Sequence, residues 1–179
     1  MSNDTHINIP SALLKKLADE GILLILSQIG LGLAGFGGLI SALRPSGQAW
    51  SLREIGAFSL LLEHALGLML LALLPLVIRL FTNTERFAWQ LSSAFLLLFL
   101  VVEILTQILR VIEYSKSGSP PRHPIAFVAV FVLFTGTTAG LAATNLRVGQ
   151  AARFIICLYW ILFSGTLQFF LLIRSTLGL

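Results

Sequence analysis

FAWQLSSAFLLLFLVVEILTQIL, residues 87–109, runs for 23 residues between Arg86 and Arg110 with a single charge, Glu103. At about 1.5 Å per residue, a helix of this length crosses the roughly 30 Å of hydrocarbon in a bilayer. A transmembrane β-strand would instead alternate apolar and polar residues over about ten positions. Phe95-Leu96-Leu97-Leu98-Phe99-Leu100-Val101-Val102 does not alternate, and neither does Leu68-Met69-Leu70-Leu71-Ala72-Leu73-Leu74. The stretch reads as a membrane-spanning helix.

The same spacing recurs on both sides of it. Gly21 to Leu43 is 23 residues without a charge, and the 24 residues between Glu54 and Arg79 carry only Glu63 and His64. His123 and Arg147 enclose 23 uncharged residues, and Arg153 and Arg174 enclose 20. The prediction is an all-α polytopic membrane bundle of five transmembrane helices, with spans near 22–43, 56–80, 88–110, 124–146 and 153–174. In the 1–20 segment, Pro10 suits a first helical turn. Leu13, Leu14 and Leu17 share a face there, with Lys15, Lys16, Asp19 and Glu20 largely elsewhere. A short amphipathic interfacial helix is therefore expected ahead of the 21–179 bundle. The polar start and the acidic pair do not fit a cleaved signal peptide.

Composition agrees. Hydrophobic residues are 56% and charged residues 11%, against about 45–50% and 25% in soluble domains. The formal net charge is +4, but the basic residues are scattered singly or in pairs, with no run to track a nucleic-acid backbone. They read as cationic helix flanks at a lipid surface. On the N side of the five spans lie Lys15, Lys16, Arg79, Arg86, Arg147 and Arg153. On the C side lie Arg44, Arg53, Arg110, Lys116, Arg122 and Arg174. An even split gives the positive-inside rule nothing to act on. The single cysteine, Cys157, excludes an intrachain disulfide and sits in an apolar stretch, as a packed hydrophobe would.

Turns are expected at Arg44-Pro45-Ser46-Gly47 and Ser117-Gly118-Ser119-Pro120-Pro121. Trp50 and Trp89 fall near the expected boundaries, where an indole buries its ring and wets its N–H. Trp160 falls inside the fifth span and is expected to pack between helices, and Pro75 should bend the second. Small residues let helices approach closely in lipid. Gly30, Ala34, Gly38 and Ala42 recur every four residues as one ridge, and Gly136-Thr137-Thr138-Ala139-Gly140 is a GxxxG. These serve either intrachain packing or a self-association seam.

A carboxylate inside hydrocarbon is costly and marks a candidate site. By helical rise Glu63 lies roughly 13 Å in from Glu54, Glu103 roughly 10 Å from Arg110, and Gln168 roughly 9 Å from Arg174. All three depths are measured from the C side, and His64 and Gln107 belong to the same half. The N-side half offers mainly Ser27 and Gln28. Glu103, Gln107, Arg110 and Tyr114 share one face of the third span, and Gly56, Ser59, Glu63 and Gly67 share one of the second. If the faces meet, Arg110 or His64 can partner a carboxylate. Three roles stay open for Glu63 and Glu103: fixing helix register, lining a proton or ion path open on the C side, or binding a lipid headgroup or partner helix. No HExxH, GxSG or GxGD motif appears, and a lone His64 without a second histidine one turn away is a poor metal site. No enzyme, metal or cofactor is expected.

Three pieces carry a resemblance. They are Ala34-Gly35-Phe36-Gly37-Gly38-Leu39-Ile40-Ser41-Ala42-Leu43-Arg44 followed by Trp50, Leu73-Leu74-Pro75-Leu76, and Trp89-Gln90-Leu91-Ser92-Ser93-Ala94. They resemble small multi-pass bacterial membrane proteins with an AGFxGLxxAL-like first span, and Gln168-Phe169-Phe170 is similar to their last span. The resemblance implies a bacterial cytoplasmic membrane and no known activity. The expectation is a non-enzymatic membrane protein acting through helix-mediated assembly, with itself or a membrane partner. The alternative is an oligomeric channel or small transporter built around Glu63 and Glu103. The expected partners are lipids and membrane proteins, not nucleic acid.

Overall fold

The structure, a computed structural model, describes residues 10–42, 50, 52–82, 84–116 and 124–177. It contains five helices, α1 (Ser11–Ala42), α2 (Leu52–Phe81), α3 (Glu85–Lys116), α4 (Pro124–Val148) and α5 (Ala151–Leu177), and no strand among the described residues. Four helical segments are long and apolar enough to cross a membrane: Ser11–Ala42, Glu54–Phe81, Glu85–Arg110 and Ala151–Arg174. The turns expected at 44–47 and 117–121 and residues 1–9 lie outside the described residues.

Residues 11–20 are not a separate interfacial helix; they are the first turns of α1, which runs unbroken for 32 residues. The amides of Leu13 and Leu14 donate to the Pro10 carbonyl, which opens the helix. No breaker stands between Glu20 and the apolar run, so the backbone ladder continues across the change in polarity. At about 1.5 Å per residue, α1 is about 48 Å long and overruns a hydrocarbon layer of about 30 Å. The overrun is tied to its neighbours: Arg79 Nη1 lies 2.7 Å from Glu20 Oε1, and Lys16 Nζ lies 3.5 Å from Glu85 Oε1. The start of α1, the end of α2 and the start of α3 therefore meet at one end, the N side.

Consecutive helices pack side by side, and α5 touches all four others. The core where they meet includes Leu26, Leu68, Leu96, Phe154 and Leu158. Large apolar side chains also cover the outside, with Leu80 and Phe81 more than 80% exposed, the surface expected of a bundle solvated by lipid rather than water. α2 continues through Pro75, where the ring removes the amide that Leu71 O would have accepted. Trp89 is not at a wet boundary: it is buried against Phe154, ring centroids 5.8 Å apart, with the Arg79 guanidinium 4.9 Å from its ring centroid. Trp160 packs between helices, stacked on Phe134 of α4 at 4.9 Å.

The four-residue ridge on α1 does not stay on one face. A Cβ on Gly30 would lie 2.6 Å from Ala65 O of α2, and one on Gly37 would lie 2.8 Å from Leu61. Ala34 is half-buried, whereas Gly38 and Ala42 are exposed, and a Cβ on Gly38 would meet nothing. Seven residues return to the same face within about 20°, but eight drift by about 80°. Gly136 and Gly140 of α4 are also exposed, and a Cβ on either would meet nothing within 4 Å among the described residues.

Candidate functional site

Two crossed ion pairs join α2 to α3 in the C-side half. Glu63 and His64 are adjacent on α2. Their partners, Arg110 and Glu103, are two turns apart on α3. Arg110 Nη2 donates to Glu63 Oε1 at 2.6 Å and to Ser59 Oγ at 3.1 Å, and Ser59 Oγ donates to Glu63 Oε1 at 3.0 Å. This triangle closes because Ser59 and Glu63 are one turn apart on one face. It is partly open, with the Glu63 side chain 38% exposed and Arg110 18%.

The second pair is shut in. His64 Nε2 lies 2.6 Å from Glu103 Oε1, with side-chain exposures of 1% and 3%. His64 Nδ1 lies 2.8 Å from the Leu60 carbonyl. A carbonyl only accepts, so Nδ1 carries a proton and donates it. Two bare lone pairs would repel at 2.6 Å, so a further proton resides on Nε2 or on the Glu103 carboxyl. Together the pair is neutral whichever atom holds that proton. The two atoms make no aligned hydrogen bond, and Glu103 Oε2 has no partner among the described residues. The contact is held by proximity and charge, and one buried carboxyl oxygen is left over, an expensive arrangement in a low-dielectric interior.

Beside Glu103 lies a half-open recess of about 260 Å³ lined by Glu63, Phe99, Val102, Glu103 and Thr106. Phe99 is drawn toward α2, where a Cβ on Gly67 would lie 2.6 Å from its ring. From the far side, Gly165 of α5 lets that helix close on the pair, since a Cβ there would lie 3.2 Å from His64 Cβ. Gln168, one turn beyond Gly165, is buried, and Gln107 is half-buried on α3; neither takes part in the two pairs. Tyr114's side chain lies outside the description. Thr106, Phe99 and Val102 were not singled out from the sequence, although Thr106 and Phe99 lie one turn either side of Glu103 and helical phase brings them alongside it.

The polarity of the bundle is also less lopsided than the sequence suggested. Ser92, Ser93 and Asn145 are all fully buried toward the N side. Asn145 Nδ2 donates to Ser93 Oγ at 2.9 Å and to Gln150 O at 3.0 Å, while its Oδ1 accepts from Gln150 N at 2.8 Å. These bonds hold the α4–α5 turn, where Gly149 adopts φ +66° and its amide caps the helix by donating to Asn145 O. Arg86 and Gln90 of α3 then donate to the Arg147 carbonyl. This knot satisfies backbone groups, so its role is to fix the turn.

No group of three or more His, Cys, Asp or Glu among the described residues is arranged to hold a metal ion. Comparison with family models, curated proteins and solved structures finds nothing that matches the chain.

Proposed function

We propose that the chain is a five-span protein of a bacterial cytoplasmic membrane that carries a proton or small cation through the bundle at the α2–α3 site. Glu103 carries this reading. It is a carboxyl buried in an apolar bundle, with a histidine beside one oxygen, no partner for the other among the described residues, and a place in the lining of a half-open recess. A carboxylate that only fixed helix register would be expected to have both oxygens satisfied. The same face presents Glu63, so an entering cation meets two carboxyl groups at one depth. The role is non-enzymatic: the site offers proton and cation handling without an activated nucleophile.

The test is flux in liposomes containing the purified protein, with a pH dye inside and a potassium gradient clamped by valinomycin. Proton entry should exceed that of empty vesicles, and Glu103→Gln should return it to the empty-vesicle rate. Flux no greater than in empty vesicles, or a Glu103→Gln protein as active as wild type, removes the reading.

The outward positions of Gly38, Gly136 and Gly140 favour a second reading, helix-mediated assembly with another copy or another membrane protein. Small residues on an outer face are the surfaces on which helices meet in lipid.

A further inference from the structure

We propose that the last turn of α4 holds the phosphate of an anionic phospholipid, gripped by Arg86, Arg147 and Arg153 at the N-side membrane surface. The site lies apart from the α2–α3 pairs and does not depend on what they carry.

Arginine side chains from three helices meet there. Arg86, at the start of α3, donates from Nη2 to the Arg147 carbonyl at 2.7 Å. Arg153, at the start of α5, donates from Nη1 to Thr144 Oγ1 at 3.2 Å. Thr144 and Arg147 are three residues apart, so both bonds end within one turn of α4. Arg147 itself is exposed, and its guanidinium makes no hydrogen bond or ion pair among the described residues. The carbonyl and the hydroxyl hold the other two guanidinium groups in place without cancelling their charge.

The acids at this end of the bundle are engaged elsewhere. Glu20 pairs with Arg79 at 2.7 Å, and Glu85 lies 3.5 Å from Lys16. α4 and α5 contain no Asp or Glu. Asp19 lies on α1, which does not pack against α4 among the described residues. Like charges gathered on one turn repel one another, and an anion placed among them relieves the repulsion. The planar fork of an arginine matches the oxygens of a phosphate.

The outer face of α4 then favours a lipid over a free phosphate. Gly136, Gly140, Ala143 and Arg147 follow the spacing of one helical face, and all four are exposed. A Cβ on either glycine would meet nothing within 4 Å. From Arg147 to Gly136 the helix rises about 16 Å, close to the depth of one leaflet of a hydrocarbon layer about 30 Å thick. A lipid whose phosphate rests on the arginines can lay an acyl chain along this bare strip. The charges select the headgroup, and the strip takes the chain.

Native mass spectrometry of the full chain in a neutral detergent tests this, with dioleoyl phosphatidylglycerol or dioleoyl phosphatidylcholine titrated in. Phosphatidylglycerol should be retained about tenfold more tightly than phosphatidylcholine. Arg147→Glu should abolish that preference, and Arg147→Lys should keep most of it. Arg147 gives the fold only its backbone carbonyl, so the thermal midpoint of Arg147→Glu should match that of wild type. Lys15→Glu makes the same charge change at an exposed position of the same end and should leave the preference intact. Inorganic phosphate, titrated calorimetrically into the same protein, should bind at least about tenfold more weakly than phosphatidylglycerol. Equal retention of the two lipids overturns the assignment, as does a loss in Lys15→Glu equal to that in Arg147→Glu. Inorganic phosphate binding as tightly as phosphatidylglycerol removes the lipid as the ligand. An oligomer that retains neither lipid gives this face to a second copy and removes the lipid too.

Discussion

With its side chain fully buried, Asn145 bonds to Ser93 on α3 and to both the amide and the carbonyl of Gln150. Removing it breaks three hydrogen bonds. Ser93 Oγ keeps its bond to Trp89 O, and Gln150 O keeps its bond from Phe154 N. The Gln150 amide loses its acceptor at the part-buried α4–α5 turn, and leaving such a group unsatisfied costs about 1–3 kcal/mol. Asn145→Ala should therefore lower the thermal midpoint of the detergent-solubilised protein by an amount equivalent to at least about 1 kcal/mol. An unchanged midpoint would mean that water replaces all three bonds. Nothing in the sequence distinguished Asn145 from an ordinary helix-end polar residue, because its value depends on Ser93, 52 positions away. Glu63 and Arg110 were easier to read. Each is a charge where charge is costly, and spacing of four or seven residues fixes the face it occupies.

Helical phase explains why the glycines of α1 and α4 differ in consequence. Gly30 sits on the seam with α2, and any side chain there meets backbone atoms, Ala65 O at 2.6 Å and Met69 N at 3.0 Å. Backbone cannot rotate away, so Gly30→Ala should force α1 off α2 and cost about 1–3 kcal/mol, as overpacking does. Gly136→Leu with Gly140→Leu meets open space and should leave the thermal midpoint of the monomer unchanged. Light scattering in nanodiscs then tests assembly: a wild-type oligomer reduced to monomer by the α4 pair supports a seam there, and a monomeric wild type removes self-association. The sequence reading failed at α1 for two physical reasons. Polarity changes at residue 20, but a helix ends only where backbone bonding is broken, and α1 runs on from Ser11 to Ala42. A repeat of four, followed over twelve residues, rotates by about 120° and cannot form one ridge. Interruptions in the charge pattern, by contrast, placed α2, α3 and α5 well, because charge is excluded from hydrocarbon whatever the packing.

At the scale of the whole bundle, the recess was hidden from sequence because its volume depends on how far α2 and α3 splay around Phe99 and Gly67, a packing outcome no periodicity contains. Topology is more constrained. Arg86 at the start of α3 donates to the carbonyl of Arg147 near the end of α4, so the α2–α3 connection and the α4–α5 turn meet at one end. Lys116 closes α3 at the other, 31 residues from Glu85 and about 46 Å away at 1.5 Å per residue. α4 has 25 residues, about 37 Å, enough to return the chain across the hydrocarbon. Single cysteines at Thr84, Gln150 and Lys116, each in a Cys157→Ser background, convert this into labelling with a membrane-impermeant maleimide. Thr84 and Gln150 should react from one side and Lys116 from the other. If Gln150 and Lys116 react from the same side, α4 does not cross and the bundle has four spans. The α2–α3 pairs would keep their geometry in that case, but Gln150 and Thr84 could then meet only across the membrane, contradicting the Arg86–Arg147 contact. The labelling pattern and that hydrogen bond therefore stand or fall together.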